Sequence, residues 1–114
     1  MIRLVYEGMV TLVMFEFKIN REGESATLHF IGNLSVKDTS NLKKELIALR
    51  DSGVKSLTLD FAKLNFLDSS GIGILLHTYS WTKEKQGSIR IINMSNEVKT
   101  IFTISNLMDI FNIS

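Results

Sequence analysis

The stretch Leu59-Asp60-Phe61-Ala62-Lys63-Leu64-Asn65-Phe66-Leu67-Asp68-Ser69-Ser70-Gly71-Ile72-Gly73-Ile74-Leu75-Leu76 changes period partway along. At its start, Leu57, Leu59 and Phe61 alternate with Thr58 and Asp60, the pattern of a half-buried strand. After Ser70, Ile72, Leu75, Leu76 and Tyr79 fall at i, i+3, i+4 and i+7, one stripe of a helix that begins near Ser69 or Ser70. Two hydroxyls and a carboxylate stand where that helix starts, and two glycines lie in its first turn. Free amides and the positive end of the helix dipole favour an anion there. Gly71 and Gly73 each cost about 1 kcal/mol of helix propensity relative to Ala. Such a cost suggests close approach of another backbone or group. On composition alone, Asp68, Ser69 and Ser70 are the residues of an ordinary helix cap.

Upstream, Val13 to Ile19 alternates as a strand, and Asn20 to Glu24 reads as a turn with Gly23 able to take positive φ. Ala26 to Ile31 gives the second strand of a hairpin, ended by Gly32-Asn33-Leu34. Ser35 with Asp38 makes an S-x-x-D capping pattern. Leu42, Leu46 and Leu49 then follow at helical spacing, and Gly53 is placed as a C-cap. Downstream, Gly87 ends the second helix, and Ser88 to Asn93 is a further strand. Ser95 caps a third helix with Val98, Ile101 and Phe102 inward, and Ile110 to Ile113 reads as a short last strand. The order is β-β-α-β-α-β-α-β. It predicts an α/β fold: a mixed, mostly parallel sheet of four to five strands with three or more helices packed on it.

The composition excludes several classes. With no Cys there is no disulfide framework and no thiolate zinc site, and two His are too few for a metal site without several well-placed carboxylates. Thirteen basic against twelve acidic residues leave a net charge of +1, which gives no electrostatic argument for nucleic acid or an anionic membrane, and neither is expected as a partner. The apolar run from Met9 to Phe15 is too short to span a bilayer, and the start lacks the features of a signal peptide. The expectation is a cytoplasmic protein in which residues 1–13 form an extra N-terminal segment, a strand or edge cover, before a domain at 14–114.

Enzyme motifs do not fit. A nucleophile elbow needs Gly two residues before its Ser, where Leu67 and Asp68 stand. Gly71-Ile72-Gly73 lacks the third glycine of a dinucleotide fingerprint, since Leu76 stands there. His29 in a strand and His77 on the second helix read as structural or surface residues, Asp60 as solvent-facing or capping a strand end, and Trp81 as packing.

The run LDFAKLNFLDSSGIGILL (59–76) resembles the signature of STAS domains of the anti-sigma-factor-antagonist type, an apolar strand leading into a D-S-[SA]-G-[LI]-G turn and a helix. IGNLSVKDTSNLKKEL (31–46) resembles that family's passage from second strand to first helix, and NMSNEVKTIFTISNLMDIF (93–111) its third helix and following turn. Where the family commonly reads G-[DE]-[LI]-D, this chain has Gly32-Asn33-Leu34-Ser35. The resemblance implies a non-catalytic binding module without cofactor, metal or catalytic residues. It implies Ser69 as phosphorylation site, with Asp68, Ser70, Gly71, Gly73, Gly32, Asn33 and Ser35 around it as docking surface. The implied partners are an anti-sigma factor with serine kinase activity, bound when Ser69 is unmodified, and a phosphoserine phosphatase. A monomer or weak dimer is expected. The alternatives are a scaffold STAS domain of a larger signalling complex, and a domain sensing a small anion or nucleotide.

Overall fold

In the computed structural model, residues 15–111 are described. β1 (Phe15–Glu22) and β2 (Ser25–Leu34) pair antiparallel, from Phe15 opposite Gly32 to Glu22 opposite Ser25. Gly23 turns the chain at φ +61°, a left-handed conformation open to a residue without Cβ. The turn is therefore tighter than Asn20 to Glu24, and Asn20 to Glu22 belong to the strand. Val13 and Met14 lie outside the described residues, as does the segment 1–13.

α1 (Val36–Asp51), β3 (Ser56–Leu67), α2 (Ser69–Glu84), β4 (Ser88–Ile92) and α3 (Asn96–Ile104) complete the order β-β-α-β-α-β-α. The sheet runs β1-β2-β3-β4, with β2, β3 and β4 mutually parallel. This is the mixed, mostly parallel α/β sheet expected, with four strands. The last strand expected at Ile110 to Ile113 does not begin where proposed: Met108 to Phe111 form a turn, and residues 112–114 lie outside the description. The Phe111 N–H donates to the Leu107 carbonyl at 3.1 Å, so it is not available to a sheet ladder.

Alternation along the strands puts Leu28, Phe30, Leu57, Leu59 and Phe61 on the helix-covered face. There they join Leu42, Leu46 and Leu49 of α1 and Val98 and Phe102 of α3 in one core. Phe30 stacks on Phe61 at 5.4 Å between ring centres, and Phe61 meets Phe102 edge-on at 6.2 Å. Each such buried side chain contributes about 1.5–3 kcal/mol by leaving water.

Three sequence expectations shift. β2 does not end at Gly32-Asn33-Leu34 but runs through it, and β3 extends from Phe61 to Leu67 beside it. Two register shifts insert extra residues in β3, and Gly32 at φ +97° accommodates the break. The period of two is lost there, so Leu64 and Leu67 are buried while Lys63 and Phe66 are exposed. On α2 the fully buried face is Gly71, Ile74, Leu75, Thr78, Trp81 and Thr82, and Ile72, Leu76 and Tyr79 flank it. Thr78 and Thr82 can sit in the core because their hydroxyls donate to the helix's own carbonyls of Ile74 and Tyr79, each at 2.8 Å. Gly87 is not the residue that turns α2 out of its helix. Gln86 takes the left-handed φ of +60°, and Gly87 serves close packing, since a Cβ there would overlap the Lys55 carbonyl.

Candidate functional site

The parallel pairing of β2 and β3 brings two strand-to-helix junctions together at one end of the sheet. Leu34 pairs with Leu67, and the Asp68 N–H donates to the Leu34 carbonyl at 3.1 Å. α1 starts at Val36 and α2 at Ser69, so both helix N-termini open at this end.

Asp68 is the N-cap of α2, with extended backbone. Its Oδ1 accepts the Gly71 N–H at 3.1 Å, and its Oδ2 accepts the Val36 N–H at 3.1 Å. One carboxylate therefore satisfies an orphan donor of each helix. Ser35 caps α1 as the sequence pattern predicted. Its N–H and Oγ–H both donate to Asp38 Oδ2, at 3.2 and 3.1 Å. That hydroxyl is thus spent inside the cap.

Ser69 is the first residue of α2 and is exposed. Its Oγ has no hydrogen-bond partner among the described residues. Capping has been delegated to Asp68, which leaves the neighbouring hydroxyl accessible at the positive end of a helix. Ser70 is half-buried and faces a groove toward α1. Gly71 has an internal reason: a Cβ there would stand 3.0 Å from Leu34 Cδ2 and 3.2 Å from Leu67 Cβ. Gly73 is exposed and has none, since its Cβ would meet nothing within 4 Å.

Of the residues expected around Ser69, the structure brings together Asp68, Ser70, Gly71, Gly73 and Ser35. Asn33 sits opposite Phe66, one ladder position back, and Gly32 opposite Leu64 is farther down the sheet. Sequence reading missed Val36 and Phe66. Both are large exposed apolar side chains, at 66% and 48% exposure, and both flank Asp68. The Val36 amide could have been found, because the first amides of any helix need a partner. The exposure of Phe66 could not, because it follows from the bulges.

The whole of β3 beyond Asp60 separates Asp60 from Asp68. Asp60, between the core residues Leu59 and Phe61, belongs to the opposite face of the sheet. Its Oδ2 accepts His29 Nδ1–H at 2.8 Å, and its Oδ1 accepts from Asn93 Nδ2 and the Ala62 N–H, both at 3.0 Å. Partial burial raises its pKa, but these bonds together outweigh it and hold the carboxyl below its usual value. Among the described residues no group of three or more His, Cys, Asp and Glu is placed to hold a metal, and no helix is long and apolar enough to cross a membrane.

Residues 16–114 match the STAS domain family, and the chain belongs to it. The anti-sigma-B factor antagonist of Bacillus subtilis is 28% identical over 87 residues, which cover 76% of this chain and 79% of that one. Among solved structures, the phosphorylated form of the Bacillus cell fate determinant SpoIIAA superposes with a TM-score of 0.69 at 22% identity, over 82% of this chain and 86% of that one. An anti-sigma factor antagonist from Mycobacterium paratuberculosis superposes with a TM-score of 0.73 at 17% identity, over 88% and 85%. At such identities the structural likeness concerns the fold.

Proposed function

We propose that this STAS domain is an anti-sigma-factor antagonist, a cytoplasmic binding module rather than an enzyme, whose hold on its partner is set by phosphorylation of Ser69. The observation that carries this reading is the free, exposed Ser69 hydroxyl beside a cap that Asp68 already fills. The curated relative named an anti-sigma-B factor antagonist supports the partner class. The unmodified form binds an anti-sigma factor that is also a serine kinase, and a phosphoserine phosphatase restores it.

The energetics favour blocking over refolding. A phosphate on Ser69 adds about −1.5 to −2 charge. The α2 N-terminus favours it by about 0.3–1 kcal/mol, and the Asp68 carboxylate opposes it. These offset within the domain, so the fold is retained. At a protein interface a buried, unpaired charge costs several kcal/mol. A loss of about 4 kcal/mol weakens binding roughly a thousandfold. Exposed Val36 and Phe66 beside Asp68 supply the apolar area such an interface uses.

The test is a pull-down from native cytosol with wild type, Ser69→Ala and Ser69→Glu as baits. Wild type and Ser69→Ala retain an anti-sigma factor of ATPase fold that Ser69→Glu loses. Capture of the same proteins by all three baits, or of none by any, sinks the reading.

A further inference from the structure

Gly73 is the starting point. It lies inside a 16-residue helix, where glycine is unfavourable, and among the described residues nothing outside its own helix backbone comes within 4 Å of where its Cβ would stand. Packing within the molecule explains Gly71 and Gly87 but not Gly73.

That empty space opens into a groove of about 270 Å³ between α1 and α2. α1 contributes Thr39, Ser40 and Lys43; α2 contributes Ser70, Gly73 and His77. Ile74, only 8% exposed, also lines it. The groove runs down from Ser70 and so begins one residue from the Ser69 hydroxyl. Its charge is one-sided, since among the described residues no Asp or Glu lines it. The Lys43 ammonium and the Ser40 and Ser70 hydroxyls have no partner among the described residues. Three donors and an imidazole thus line an open slot whose wall is bare backbone at Gly73.

We infer that this groove receives a carboxylate side chain of the anti-sigma factor, held by Lys43 and admitted by the missing side chain of Gly73. This rests on the antagonist reading above and adds where and by what chemistry the partner is gripped. A compact acidic group fits the charge, the hydroxyl donors and the space. The groove's position places the gripped segment beside Ser69, so that a phosphate there would meet the incoming carboxylate as like charge. Phosphorylation would then repel the partner's own anchor.

The test uses the full chain and the purified anti-sigma factor that wild type retains. Lys43→Glu should raise Kd about tenfold or more, and the salt dependence of wild-type binding should be reduced in Lys43→Gln. Gly73→Ala should also weaken binding about tenfold, while its own urea midpoint holds or rises. That pairing separates docking from folding. Zero-length carbodiimide cross-linking of the wild-type complex should join the Lys43 amine to an Asp or Glu of the partner. Wild-type affinity in either Lys43→Glu or Gly73→Ala overturns the groove. In that case, loss of binding by Ser69→Glu still leaves the antagonist reading in place. If wild type binds no anti-sigma factor, the reading and the groove's occupant fall together.

Discussion

Asp68 Oδ2 accepts the Val36 N–H at 3.1 Å, so the cap of the second helix also holds the start of the first. The two residues are 32 apart in the chain and meet only because β2 and β3 run parallel and end together. The consequence is that Ser69 is presented at a hydrogen-bonded junction of two helices and two strands.

Asp68→Ala leaves two amides without their acceptor. A lost N-cap costs about 0.5–2 kcal/mol. With the Val36 amide added, the expected loss is about 2 kcal/mol by urea denaturation. Asp68→Asn keeps one oxygen acceptor and should lose about half as much. Equal stability of wild type and Asp68→Ala would show that the junction contributes nothing.

The glycines should separate by where their Cβ would go. Gly87→Ala drives a methyl into the Lys55 backbone carbonyl, and backbone cannot yield as a flexible side chain can. A loss of about 3 kcal/mol or more is expected, at the upper end of overpacking. Gly71→Ala presses on Leu34 and Leu67, which are 0% and 1% exposed, and should cost about 1 kcal/mol after the gain in helix propensity. Thermal melts of the two variants, ranked in that order, check the packing.

Trp81 is 3% exposed, and its Nε1–H has no partner among the described residues. An unpaired buried donor costs about 1–3 kcal/mol. Trp81→Phe removes that cost along with some packing, so its net effect should stay within about 1.5 kcal/mol of wild type. Trp81→Ala opens a cavity and should lose about 3–5 kcal/mol. Since Trp81 is the only Trp in the chain, circular dichroism rather than fluorescence must follow both.

Asp60 gives a pH dependence of known sign. Burial raises its pKa, but the bonds from Asn93, Ala62 and His29 win, so the folded value lies below the unfolded one. A depressed carboxyl pKa contributes stability that is present above the unfolded value, near pH 4, and is lost as pH falls through the folded value. Wild type should therefore lose stability more steeply than Asp60→Asn as pH falls below about 4. Parallel acid-unfolding curves would contradict this.

The sequence alone determined the element order from β1 to α3, because each of these elements carries its own period: two in the strands, near 3.6 in the helices. Its local rules read Asp68, Ser69 and Ser70 as a helix cap, and only the resemblance of the D-S-S-G-I-G turn to a known family singled that turn out. Where a local rule was enough, as at Gly23, Ser35 and Ser95, the reading and the structure agree. Tertiary structure decided the rest. Bulges in β3 broke the period that would have revealed its last six residues as strand, and they turned Phe66 outward. Thr78 and Thr82 entered the core because their hydroxyls were satisfied within the helix, which an apolar stripe cannot show. The link from Asp68 to Val36, and the groove in which Lys43 faces Gly73, depend on two helices laid side by side. No spacing along one helix contains the distance to another.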